Sequence, residues 1–195
     1  MRITGGQAGG RILRVPKGMA VRPTPDLVKQ AVFNSLGERV IGARVLELFS
    51  GSGALSLECL SRGAKSALCV ELARKHAEFI RRNATAAGFP PGVLEVHTQD
   101  VFAVIPQLVR AGAMFDLVLA DPPYGEKNVG RRSESLAQQL LDAPALPKLL
   151  APGGRLVLGH SRRDTLEIPT PWVERKEMKH GDNMMRFLEL PALTG

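Results

Sequence analysis

From Arg44 onward, short apolar runs alternate with stretches whose apolar positions recur at helical spacing. The runs Val45 to Phe49, Ser66 to Leu72, Val93 to Thr98, Phe115 to Ala120 and Arg155 to Gly159 predict five strands. Between them, Ala54 to Arg62, ended by Gly63, and Val101 to Ala111 predict helices. So does Ala73 to Ala87, which is capped by Gly88 and places Ala73, Ala77, Ile80 and Ala84 inward, with Arg74, Lys75, Glu78, Arg81 and Arg82 outward. A helix running to Leu150, interrupted around Pro144 and Pro147, and a turn at Pro152-Gly153-Gly154 lead into the fifth strand. Upstream, Leu27, Val28, Ala31, Val32 and Leu36 predict a helix with Thr24 as N-cap, Pro25 at its first position and Gly37 closing it. Trp172 to Lys179 and Met184 to Leu190, around Gly181-Asp182-Asn183, read as two antiparallel strands. Repeated βα units with short connections require a mainly parallel, doubly wound α/β sheet with helices on both faces.

The first 20 residues break this pattern. They are rich in glycine, with short alternating stretches at Arg2-Ile3-Thr4 and Arg11-Ile12-Leu13-Arg14-Val15. We read residues 1–21 as an extended arm, or a hairpin turning near Gln7 to Gly10, that projects from a single domain formed by residues 22–195. Charge sharpens this reading. The chain of 195 residues carries a net +7, and before Asp26 it has Arg2, Arg11, Arg14, Lys17 and Arg22 and no acid. So uneven a cluster suits a polyanion, and Arg2, Arg11, Arg14 and Lys17 are the expected phosphate-binding residues. No apolar run is long enough to span a membrane and no apolar signal core follows Arg2, so the expected location is cytoplasmic. Cys59 and Cys69 form no CxxC and lack ligand-spaced histidines; they read as reduced, buried thiols, and no metal is expected.

Candidate chemistry begins at Glu47-Leu48-Phe49-Ser50-Gly51-Ser52-Gly53, a glycine-rich turn between the first strand and its helix. Such a turn lets a ligand approach the backbone at a helix N-terminus. Glu71, twenty positions after Gly51, ends the second strand where an acid can accept hydrogen bonds from ribose hydroxyls. These two features would also suit a dinucleotide. Ser56, however, replaces the third glycine of G-x-G-x-x-G, and Glu47 would repel a pyrophosphate. The same acid suits the cationic amine or sulfonium of S-adenosylmethionine. Asp100, closing the third strand, could bond an adenine amino group or cap the helix that begins at Val101; the two roles are compatible.

Asp121-Pro122-Pro123-Tyr124 leaves the fourth strand in an unusual way, because proline cannot donate to a ladder and fixes φ. The stiff turn would hold one carboxylate, donor-free carbonyls and one flat ring at a sheet's carboxyl edge, where open α/β sheets bind ligands. That suits a planar base with an exocyclic amine. The amine's lone pair is delocalised into the ring. Hydrogen bonds to Asp121 and to a Pro122 or Pro123 carbonyl would favour a pyramidal nitrogen aimed at a methyl group, and Tyr124 would stack on the base. The base must leave its helix or loop to reach such a pocket.

Together with Leu46 to Ala54, Glu71 and Asp100, this turn resembles the class I S-adenosylmethionine-dependent methyltransferases that act on exocyclic amines. The fuller pattern covers most of the chain: Arg2-Ile3-x-Gly5-Gly6, Gly10-Arg11, Arg22-Pro23-Thr24 with Asp26, Phe33-Asn34, Leu36-Gly37, Leu48-Phe49-x-Gly51-Ser52-Gly53-Ala54-Leu55 and Leu60-Ser61-Arg62-Gly63-Ala64. It is similar to the bacterial small-subunit ribosomal RNA guanine-N2 methyltransferases. The resemblance implies a seven-stranded Rossmann-like sheet with an antiparallel last strand. Its implied substrate is a guanine of 16S ribosomal RNA in an assembling or assembled small subunit, and the enzyme would act as a monomer without a metal. It further implies cofactor contacts from Arg22, Thr24, Glu47, Phe49, Gly51, Ser52, Gly53, Ala54, Glu71, Leu72, Asp100, Val101 and Asp121, with Arg22 to Thr24 against the methionine end. The implied catalytic residues are Asp121, Pro122, Pro123 and Tyr124.

The chain departs from the pattern in two places: Gly159-His160 stands where an acid is expected, and His180-Gly181-Asp182 where an aromatic commonly precedes the glycine. His160 reads as a loop residue, and His76 and His97 as structural. Three other functions compete: an adenine-N6 DNA methyltransferase, which no residues for a separate DNA-recognition domain support; a nicotinamide oxidoreductase; and an RNA-binding assembly protein without chemistry.

Overall fold

Strand β1 (Arg44–Leu48) and strand β2 (Ser66–Val70) are apolar on both faces and buried from their second residue onward. Only a sheet covered by helices on both sides accommodates such runs. The computed structural model describes residues 1–15, 25–124 and 131–192 of the chain. These form two units, Met1–Val101 and Phe102–Gly195.

In the first unit β2 lies between β1 and β3 (Leu94–His97), all three parallel, with Val45 opposite Ala67 and Leu68 opposite Glu95. Helices α1 (Asp26–Leu36), α2 (Ala54–Ser61) and α3 (Arg74–Ala87) accompany them. Helix α3 is amphipathic, with Ala77, Ile80 and Ala84 buried as expected and Gly88 ending it at φ 84°, while Ala73 stands before the helix and is only half-buried. Both cysteines are free and buried. Pro25 takes the position before α1 with no side-chain cap; Thr24, the expected cap, lies outside the described residues.

The N-terminal arm corrects one expectation. Residues 1–13 do form a hairpin, with Arg2 bridged to Ile12 and Ile3 N–H donating to the Arg11 carbonyl at 3.0 Å. The hairpin packs instead of projecting. Alternation turns Ile3 and Leu13 inward, where with Ala8 they join Ala54, Leu57 and Ala84 in one buried cluster, while Arg2, Ile12 and Arg14 face outward. Polar contacts secure it: Thr4 N–H donates to Glu58 Oε2 at 2.7 Å, Gln7 N–H to the Ser61 carbonyl at 2.7 Å, and Arg14 N–H to Asn83 Oδ1 at 2.9 Å. The boundary at residue 21 lies outside the described residues.

The second unit holds β4 (Phe115–Ala120), β5 (Leu150–Ser161), β6 (Val173–His180) and β7 (Asn183–Glu189) in the order β4-β5-β7-β6. Strands β4 and β5 are parallel, and β7 runs antiparallel to both its neighbours. The seven strands make one mostly parallel sheet, as the sequence predicts. Helix α4 (Val101–Arg110) precedes β4; α5 (Leu136–Asp142) follows it, held by Trp172 Nε1–H donating to the Leu141 carbonyl at 3.1 Å. The helix expected to reach Leu150 ends at Asp142, and Leu146–Leu149 form a separate 3-10 turn. Strand β5 also starts earlier than expected, at Leu150, and residues 151–154 bulge before pairing resumes at Arg155 opposite Leu117. A Cβ on Gly154 would meet the Ala151 carbonyl at 2.8 Å, so only glycine lets the bulge close. Among the described residues, no helix is long and apolar enough to cross a membrane.

Candidate active site

The turn after β1 holds three positive φ values at alternate residues: Phe49 at 56°, Gly51 at 52° and Gly53 at 73°. For phenylalanine the left-handed region is unusual and costs on the order of 1 kcal/mol or more. The neighbours that impose it are visible. Ser50 Oγ donates to the Glu47 carbonyl at 2.7 Å and to the Val70 carbonyl at 3.1 Å, and Gly51 N–H donates to Glu71 Oε2 at 2.7 Å. A Cβ on Gly53 would meet Ile80 Cγ2 at 2.8 Å, so the turn also presses on α3. Ala54 is the first residue of α2, and the Ser52 carbonyl accepts from Asn83 Nδ2 at 3.5 Å.

Glu71 sits where the sequence places it, at the carboxyl end of β2. Its Oε1 accepts from Ala73 N–H at 2.8 Å, and His76 Nδ1 lies 3.4 Å away. A carboxylate oxygen can accept two hydrogen bonds, so Oε2, which takes one from Gly51 N–H, can accept a second from a ligand hydroxyl. Leu72 follows, 69% exposed, an apolar surface beside the acid. Asp100 is exposed at the neighbouring carboxyl end of β3, directly before Val101, which is buried as the first residue of α4. Arg22, Thr24 and Lys17 lie outside the described residues.

Glu47 is placed differently from the expectation of direct contact with a cationic ligand. Its carboxylate is buried and turned to the start of α2, accepting from Leu55 N–H at 3.3 Å and Ser56 N–H at 2.9 Å, with Cys69 Sγ 3.6 Å away. A strand residue thus caps the following helix from inside, because orphan amides there need acceptors. Two amides at that helix end are already taken by this side chain and are not available to a dinucleotide's pyrophosphate. The cradle, comprising the glycine turn, the Glu71 acceptor and the exposed Leu72, fits S-adenosylmethionine.

Burial pushes the Glu47 carboxyl up to about 7, against the opposing pull of the Ser56 and Leu55 bonds. The folded state therefore holds this proton between the ordinary carboxylate value of 4.5 and about 7, and the unfolded state does not. The stability this group contributes is present below that window and is lost as pH rises through it, by roughly 3 kcal/mol. Urea unfolding of wild type and Glu47→Gln at several pH values is expected to show their difference shrink from pH 4.5 to 7.5; a constant difference would mean Glu47 is charged throughout.

In the second unit, Asp121, Pro122, Pro123 and Tyr124 emerge from β4, with Pro122 buried and Pro123 and Tyr124 exposed. Tyr124 Oη donates to Asn183 Oδ1 at 2.5 Å, so the first residue of β7 fixes the phenol end while the ring remains 42% exposed. His160 is buried in β5, not in a loop; its Nε2 accepts from Arg186 Nε at 2.9 Å, and Arg186 also pairs with Glu174 and Glu177. Burial, and then the Arg186 charge, hold its pKa below the usual imidazole value. Sequence reasoning missed Asn183, which it read only as a turn residue, and His76, which the first turn of α3 brings to Glu71.

Residues 1–189 match the protein family described as conserved hypothetical protein 95. The chain belongs to this family. Its relatives include a putative rRNA methyltransferase, YlbH, of Bacillus subtilis, 29% identical over the whole chain and 96% of the relative. The ribosomal RNA small subunit methyltransferase D of Escherichia coli is 36% identical over 64% of this chain and 60% of its own length. Among solved structures, a putative methyltransferase, YhhF, from Escherichia coli aligns with a TM-score of 0.76 at 29% identity, over 98% of each chain. The fold is that of the class I methyltransferases, and the family is the one that the sequence resembles.

Proposed function

We propose that the protein transfers a methyl group from S-adenosylmethionine to the exocyclic N2 of one guanine in 16S ribosomal RNA, within the assembling or assembled small subunit. The observation that carries this reading is the Asp121 to Tyr124 turn. One carboxylate and one end-fixed, half-open aromatic ring leave β4 in a chain that matches the family from residue 1 to 189. The relatives' names support ribosomal RNA as the substrate class, and the whole-chain resemblance supports guanine N2.

When bound, S-adenosylmethionine supplies a methyl group activated by its sulfonium. In this reading Glu71 accepts from the ribose hydroxyls, Asp100 from the adenine amine, Leu72 and Val101 flank the ring, and Gly51 to Ala54 admit the ligand to the backbone. Arg22 and Thr24 hold its methionine end. Asp121 and a proline carbonyl accept from the target amine and direct its lone pair, while Tyr124 fixes the plane of the base. The cofactor would supply the methyl group and its sulfur would keep the electron pair of the bond that held it, while Asp121 would take up the proton released by the amine and pass it to solvent. Arg2, Arg11 and Arg14, held on the docked hairpin, and Lys17 take the phosphates.

Purified protein with methyl-labelled S-adenosylmethionine is offered small subunits lacking the modification, naked 16S RNA and duplex DNA, and labelled nucleosides are identified by mass spectrometry. N2-methylguanosine from one site of the small-subunit RNA is the expected product. Label entering only DNA, or only adenine, overturns the reading. Thermal protection by NAD and not by S-adenosylhomocysteine would place the chain with the oxidoreductases.

A further inference from the structure

Parallel pairing sets Ala120 of β4 opposite Leu158 of β5, so Asp121 leaves its strand level with Gly159. A Cβ on Gly159 would overlap Asp121 Oδ1, stand 2.9 Å from Asp121 Cγ and lie 3.3 Å from Met185 Sδ. Met185 is the residue that β7 pairs with Gly159. The Asp121 carboxylate thus lies over the strand, in the volume that any side chain at 159 would occupy.

The backbone gives no other reason for glycine here. Gly159 is in mid-strand, paired to β7, and has none of the left-handed φ values that require it. In such a place glycine is normally a cost, since it packs nothing and loses more chain entropy than alanine. The strand beneath the carboxylate is also stiff. On the next residue, the His160 ring is tied to Arg186, whose guanidinium pairs with Glu174 and Glu177 on β6.

We propose that Gly159 is a positioning residue for methyl transfer: its missing side chain is the seat that holds the Asp121 carboxylate over β5, in the orientation that meets the target amine. The proposal rests on the base-amine methyltransferase reading above. It assigns a role to the position where the chain departs from the acid expected at the end of this strand.

Gly159→Ala should fold, because alanine suits a strand backbone better than glycine, but Asp121 must leave its seat. Displacement of a reacting group by about 1 Å costs on the order of 100-fold in rate. The expected result is a fall in kcat of about that size, with far smaller changes in the KM for S-adenosylmethionine and in Tm. In an Asp121→Asn background, Gly159→Ala should cost much less, because the group it displaces is already impaired. Crystal structures of wild type and Gly159→Ala, independent of any assay, should show the Asp121 carboxylate rotated off β5.

Wild-type kcat in Gly159→Ala, where Asp121→Asn has a reduced but measurable kcat, would overturn the proposal. So would equal losses from Gly159→Ala in both backgrounds, or an unmoved carboxylate. If wild type methylates no base amine at all, the methyltransferase reading fails, and the crystal comparison still decides whether Gly159 seats Asp121.

Discussion

Asp121→Ala is expected to lower the kcat for methyl transfer to small-subunit RNA by about 100- to 1000-fold, the loss typical when one preorganised polar group is removed from a developing charge. A guanine amine is a weak nucleophile, and the charge that appears on its nitrogen as the methyl arrives must be met by an acceptor already in place. Asp121 is the one carboxylate of the Asp121 to Tyr124 turn. The two prolines that follow limit how far the backbone can adjust to the loss. Single-turnover label transfer separates this step from RNA binding. A variant with half of wild-type kcat would remove the carboxylate from the mechanism. Normal kcat with a raised KM for RNA would make it a binding residue only.

Glu58→Ala is expected to have the largest effect on stability, about 3 kcal/mol, with the hairpin of residues 1–13 released from the first unit. Glu58 and Lys29 are fully buried. The Glu58 carboxylate accepts from Thr4 N–H at 2.7 Å, Thr4 Oγ1 at 2.8 Å and Arg62 Nε at 2.8 Å, and lies 3.8 Å from Lys29 Nζ. Lys29 also donates to the Arg2 carbonyl and lies 3.2 Å from Asp26 Oδ1, so the loss stays below the largest values recorded for orphaned buried charges. Urea unfolding and amide exchange on residues 3–13 check it. A loss of about 0.5 kcal/mol, as for an exposed pair, with the hairpin amides still protected, would show that Ile3, Ala8 and Leu13 alone anchor the arm. The consequence for function is direct. Arg2, Arg11 and Arg14 are carried on a hairpin already set in position, so in the proposed reading they would not lose a flexible arm's entropy on binding RNA.

The element order was legible in the sequence because β1, β2 and β4 are short, largely apolar runs and α3 keeps an apolar stripe, and both patterns are local. The glycine turn and Glu71 were legible for the same reason: a strand, a turn and a helix N-terminus are contiguous in the chain. The arm's fate was not. Its alternation showed which side of Ile3 and Leu13 is apolar, but nothing within fifteen residues says that Ala54, Leu57 and Ala84 cover that side. Likewise the Pro152-Gly153-Gly154 turn was visible, while its inclusion in β5 as a bulge follows from pairing with β4.

By itself the sequence determined the alternation of strands and helices, the stiff exit from β4 and the concentration of cations before Asp26, since each depends on neighbours in the chain. Tertiary structure decided where the carboxylates point. Glu47 turns inward to cap α2 because that helix end is near and its amides lack partners. The Asp121 carboxylate rests over β5 because register brings a residue without a side chain level with it. Direction and register depend on contacts between residues far apart in the chain, and no local pattern encodes them.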